Sequence, residues 1–229
     1  MNNAHKESPS TERLQAAPKG RFGLQLFVVT VIILLGLGLC VPAFNVVAER
    51  SPVMQCSANG RMIMIALKAW AGDHDGRYPE GPTANDAFRQ LFVGEYVEDE
   101  RSFTSPLSPY HGDDNIGTAP DFRLALQAGE NHWAMTRGLN DSSNGNAPLV
   151  FENPVTATWP PRWNADAANQ PKPGRCWKSG RVVIGRNDGS IAAEKLADVK
   201  GTSVPLAPLM GGKDLFGLLP EGQVMDIQR

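Results

Sequence analysis

One uncharged stretch constrains this chain more than any other feature. From Phe22 to Ala48 it contains no Asp, Glu, Lys, Arg or His, and its middle reads Val28-Val29-Thr30-Val31-Ile32-Ile33-Leu34-Leu35. About 20 apolar residues in a helix cross the hydrocarbon core of a bilayer, so the run reads as a transmembrane helix. Lys6, Arg13, Lys19 and Arg21 precede it against Glu7 and Glu12. Positive charge is retained in the cytoplasm, which places the residues after the run on the periplasmic side of a bacterial inner membrane, in a single pass. The apolar core of a cleaved signal peptide is about 7–15 residues, shorter than this run, which favours an anchor over cleavage near Val46-Val47-Ala48.

The expected organisation is a cytoplasmic leader (1–20), a transmembrane helix (21–48), a periplasmic head (49–196) and a loosely ordered C-terminal tail (197–229). The remainder after the apolar run is roughly 180 residues, one domain of ordinary size. A formal net charge of -2, with no basic stretch, argues against a nucleic-acid partner. Cys40 falls in the apolar run, while Cys56 and Cys176 fall in the head, where they are either a disulfide or two free thiols.

Along the head, Cys56, Ile63, Ala66, Leu67 and Trp70 recur at near-helical spacing up to Gly72. Thr83 predicts an N-cap for a helix over 84–92. Pro120 predicts another helix start, over 121–127. Ala147–Phe151 reads as a strand. Val182-Val183-Ile184 and Ser190-Ile191-Ala192, joined through Asn187-Asp188-Gly189, read as a hairpin.

These segments together resemble the type IV pilin-like proteins of the type II secretion class, the pseudopilins. The likeness rests on Lys19-Gly20-Arg21-Phe22 before the apolar run and on Cys56-Ser57-Ala58-Asn59 leading to Asp73-His74-Asp75-Gly76-Arg77-Tyr78-Pro79. It continues in the segment from Gly129-Glu130-Asn131-His132-Trp133 to Val150. It ends with Trp177-Lys178-Ser179-Gly180, followed by the strand–Asp188-Gly189–strand unit. The resemblance implies an α+β fold. A long N-terminal helix, its first half transmembrane, would pack on a small antiparallel β-sheet with short helices and long loops.

It also implies cleavage after Gly20 by a prepilin peptidase, which would leave Arg21 as the new N-terminus. Gln25 would occupy the assembly position and Pro42 the position of the kinking proline. The family has Phe where Arg21 stands and an acidic residue where Gln25 stands. The implied function is a structural, non-enzymatic subunit of a secretion or pilus-like assembly. Its partners would be other pseudopilins, the inner-membrane assembly platform and the prepilin peptidase. The competing reading is a membrane-tethered binding module that captures a ligand through its tryptophan-rich loops, at Trp159 or Trp163, and does not polymerise; of Trp133, Trp159, Trp163 and Trp177, at least two are expected to pack in the core or pin loops.

Motifs for chemistry are sparse. The histidines His5, His74, His111 and His132 form no His-Glu-x-x-His, and there is no Gly-x-Ser-x-Gly. We therefore expect no catalytic residue, no bound cofactor and no assigned metal. An enzyme would need a set such as His111, His132 and an acid in one pocket. The resemblance brings calcium to mind for the loop Asp113-Asp114-Asn115, with no ligand set to name.

Overall fold

The computed structural model describes the backbone of residues 19–209, 211–219 and 221–229. It describes the side chains of these residues apart from 19–24 and 34–50. Two compact units divide the chain, Met1–Val47 and Ala48–Arg229, and helix α1 (Lys19–Asp73) contributes to both.

The unit from Ala48 onward is built on a five-stranded antiparallel sheet. Its strands are β1 (Trp133–Thr136), β2 (Pro148–Glu152), β3 (Arg181–Arg186), β4 (Ile191–Lys195) and β5 (Val224–Met225), in the order β4-β3-β2-β1-β5. Alternate side chains serve two cores. Trp133, Met135 and Val183 face one cluster with Cys56, Ile63, Met64 and Leu67 of α1 and Phe88, Leu91 and Phe92 of α2 (Ala84–Val93). Ala134, Phe151, Val182 and Ile184 face the other, with Trp163, Leu206, Leu215 and Phe216. The register of β2 against β3 shifts between Pro148 and Val150. There Leu149 and Val150, successive residues, both pack in the α1-side cluster.

Glycine lets α1 approach the sheet closely. A Cβ on Gly60 would lie 2.8 Å from both Ile191 Cδ1 and Trp133 Cη2. Helix α2 begins as its sequence dictates. Thr83 caps it, and the Asp86 side chain returns a bond to the Thr83 backbone in a capping box. Gly189, at φ 85°, closes the turn between β3 and β4.

The expected fold is corrected here. The long N-terminal helix with a transmembrane first half is not what the described residues form, because no helix among them is long and apolar enough to cross a membrane. Only Gln25–Ile33 of the apolar run have described side chains. At a rise of 1.5 Å per residue they reach about 14 Å, half a bilayer core. What packs on the sheet is the C-terminal part of α1, from Val53 to Ala71. The sheet is also larger than the small one expected, with both faces covered.

Two further expectations change. Residues 121–127 form turns rather than a helix, with Phe122 (φ 44°) and Leu126 (φ 51°) in the left-handed region. Their backbone groups bond elsewhere. Ala125 O accepts from Arg89 Nε, Leu126 O accepts from Asn85 Nδ2, and Leu126 N–H donates to Glu100. The segment after Leu196 is packed rather than loose. Leu206, Leu215, Phe216, Met225 and Ile227 are buried, and β5 pairs with β1.

Candidate functional site

The most concentrated chemistry in the head is a sealed polar network around Glu152, the last residue of β2. Its carboxylate has no exposed surface. Trp177 Nε1–H (2.8 Å) and Val183 N–H (2.7 Å) donate to Oε2. Three groups converge on Oε1: His132 Nε2 at 3.0 Å, Arg175 Nη1 at 3.2 Å and the Cys56 thiol at 3.5 Å. One side chain therefore ties α1 (Cys56), the residue before β1 (His132), β3 (Val183) and the loop carrying Arg175 and Trp177.

Arg175 is held by its other nitrogens, since Nη1 lies near Glu152 Oε1 but makes no hydrogen bond. Its Nε donates to Leu107 O (3.1 Å), and its Nη2 donates to Ser105 Oγ (3.0 Å) and Pro106 O (2.9 Å). Its guanidinium carbon lies 3.9 Å from the Trp177 ring centroid. A charged side chain with this many partners is one that burial can accommodate.

The hydrogen bonds fix the tautomer of His132. Asn153 Oδ1 accepts from Gly174 N–H (2.8 Å), so its Nδ2 must face His132, where it donates to His132 O (3.0 Å) and Nδ1 (2.9 Å). Ser108 Oγ accepts from Tyr110 N–H (3.0 Å) and lies 2.9 Å from the same Nδ1. Nδ1 is therefore an acceptor, and the ring proton sits on Nε2, donated to Glu152. Burial lowers the His132 pKa more than Glu152 raises it, which keeps the ring neutral. Burial pushes Glu152 up, but Arg175 and then His132 bring its pKa below the usual carboxylate value. Burial raises the Cys56 thiol well above its usual value and Cys176 to about 11.

Two chemical readings of this network can be tested on geometry. Cys56, His132 and Glu152 offer three ligand atoms within 4.8 Å of one another, the span of a metal site. A metal would need the Nε2 lone pair, which carries the proton here, and would meet Arg175 beside the same oxygen. Binding would have to displace that proton against the Arg175 charge, and we assign no ion to the group. Ser108, His132 and Glu152 also form a hydroxyl–imidazole–carboxylate chain, the arrangement of an activated nucleophile. Ser108 is 2 %, His132 1 % and Glu152 0 % exposed, so substrate has no approach to the hydroxyl in this state.

A second acidic group lies under the loop expected to concern calcium. Glu100, Asp113 and Glu130 each place a carboxylate oxygen within 4.8 Å of the other two. Glu100 Oε1 accepts from Leu126 N–H (2.6 Å) and Oε2 from Asp114 N–H (3.2 Å). Asp113 Oδ1 accepts from Asn115 N–H (2.8 Å) and Glu130 Oε2 from Gln127 N–H (2.6 Å). Burial raises the pKa of both Glu100 and Glu130. Four of the six carboxylate oxygens already accept backbone N–H groups, which leaves fewer free than the six to eight that calcium takes, and we assign no ion to them.

Of the residues named from sequence, Gly20, Arg21 and Pro42 lie outside those with described side chains, as does Cys40. Gln25 is exposed on α1. Cys56 and Cys176 are two free, buried thiols. Trp133, Trp163 and Trp177 are core residues, and Trp159 is half-buried with Nε1–H donated to Leu219 O, so the tryptophans do not form an exposed binding face. His111 is exposed on its loop, while His132 is sealed in the Glu152 network. Sequence reasoning missed Glu152, Arg175, Asn153 and Ser108. The available signal was the abrupt Glu152-Asn153 after the apolar strand Pro148–Phe151. No family model, curated protein or solved structure matches the chain.

Proposed function

We propose that this chain is a structural subunit of a type II secretion or pilus-like assembly, with no catalytic role. It is held at the bacterial inner membrane by its apolar N-terminal run, with its head on the periplasmic side. Its partners are other pseudopilin-like subunits, the inner-membrane assembly platform and a prepilin peptidase. One observation supports this reading best: the sealed Glu152 carboxylate gathers the Cys56 thiol of α1 together with His132, Trp177 and the Val183 N–H of the sheet region. A subunit held through its N-terminal run needs a head fixed to its helix, whereas an enzyme needs an open site. Lys19-Gly20-Arg21 directly before the apolar run adds the processing step.

Intact-mass analysis of the full chain, from cells containing a prepilin peptidase, tests the proposal. A chain beginning at Arg21, with Gly20→Ala beginning at Met1, is the expected result. Chains beginning at Met1 in both, or at Glu49 in the wild type, would overturn the processed-subunit reading.

A further inference from the structure

A surface cleft of about 330 Å³ opens between α1 and the loop that follows α2, and nothing in the Glu152 network uses it. Its floor is apolar, made by Met62 of α1 and by Phe103. Met62 is 56 % exposed, and Ile65, one turn on, is 57 % exposed. Residues at i and i+3 share a helix face, so the apolar surface extends beyond the cleft along α1.

The rim is acidic. Glu95, Glu98 and Asp99 line it, and Arg101 Nε lies 3.6 Å from Asp99 Oδ2. Those two side chains are 79 % and 46 % exposed, and exposed pairs of this kind contribute little and exchange readily. Tyr96 forms the wall. Its hydroxyl donates to Asp73 Oδ2 (2.6 Å) and its ring meets Trp70 edge-on with centroids 5.6 Å apart, which fixes the ring.

We infer that this cleft docks an arginine side chain of a partner protein segment, with an apolar neighbour of that arginine resting on Met62 and Ile65. Charge complementarity selects the cation, as three carboxylate residues line the cleft and only Asp99 has a loosely held guanidinium beside it. The apolar floor selects a long aliphatic stem, which arginine and lysine both have. The aromatic wall and carboxylate rim favour the flat, multiply donating guanidinium over a compact ammonium. The exposed apolar helix face beside the cleft selects a segment rather than a free small cation. All the residues belong to the Ala48–Arg229 unit, so the inference stands independently of the assembly reading.

The test is fluorescence anisotropy with the full chain and two labelled peptides, one containing Leu-Arg-Leu and one with citrulline in place of arginine. The arginine peptide is expected to bind about tenfold more tightly than the citrulline peptide, and to weaken as salt is raised. The double variant Glu95→Gln/Glu98→Gln should remove most of that preference. Met62→Ser should weaken both peptides, because it removes floor rather than charge. Equal binding of the two peptides, or an unchanged preference in the double variant, would overturn the inference. So would concentration-dependent self-association that the double variant abolishes while neither peptide binds, since the occupant would then be a second copy of this chain.

Discussion

Glu152 and Glu100 are both fully buried glutamates, and they are handled in opposite ways. Glu152 sits deep in the sheet, with Arg175 and the His132 Nε2–H on one oxygen and two N–H donors on the other. Its pKa ends below the usual value although burial alone pushes it up. Glu100 lies near the surface, beneath the exposed 111–115 loop. It has two backbone N–H donors, but its charged neighbours are Asp113 and Asp114. Burial, helped by those like charges, raises it. Hydrogen bonds can satisfy a buried carboxylate, but a cation decides which protonation state the fold prefers.

The largest expected effect follows from breaking the paired member. Glu152→Gln leaves Arg175 buried without a counter-charge and should cost about 3–5 kcal/mol in denaturant unfolding of the full chain. A loss below about 1 kcal/mol would show that the network is not what joins α1 to the sheet.

The pH dependence sharpens the contrast, because the two glutamates have opposite signs. With its folded pKa depressed, Glu152 contributes stability that is present above its ordinary value of 4.5 and lost as the pH falls through the folded value. His132, buried neutral, adds a loss that begins as the pH drops below 6.5, where the unfolded ring takes up a proton. With its folded pKa raised, Glu100 favours the folded state below 4.5, and that contribution disappears as the pH rises through the folded value. Denaturation midpoints across a pH series should fall on the acid side in the wild type. Replacing His132 with Asn should reduce the loss that starts near 6.5. Unchanged acid sensitivity in that variant would contradict the neutral-ring assignment.

A smaller effect is expected at the helix–sheet contact. Gly60→Ala gains about 1 kcal/mol of helix propensity, but its Cβ would meet the rigid Trp133 ring at 2.8 Å. Overpacking of this kind costs about 1–3 kcal/mol, so the net change should be destabilising by roughly 1 kcal/mol. Smallest of all, Glu100→Gln at neutral pH removes an unfavourable charge and keeps one acceptor. It should change stability by less than about 1 kcal/mol, far below its counterpart at Glu152.

Local signals in the sequence carried local structure. Thr83 and Asp86 define the start of α2, and Asn187-Asp188-Gly189 defines the turn between β3 and β4. Where long-range partners replaced local ones, the sequence misled. Pro120 announced a helix over 121–127, but Asn85, Arg89 and Glu100 take the backbone groups a helix would use. β5 has two residues and no periodicity, so only its pairing with β1 reveals it. The Glu152 site was illegible for the same reason. Cys56, His132, Glu152 and Arg175 come from four distant segments, and each reads alone as an ordinary core or loop residue.

The Glu152–His132–Arg175 network is a sealed joint with a neutral His132 donating to Glu152. Long-range proton–nitrogen NMR of the His132 ring near pH 7.5, with and without added zinc, tests it most directly. The expected result is a neutral ring with its proton on Nε2, unmoved by zinc. A proton on Nδ1, or a zinc-induced shift of Nε2, would contradict it.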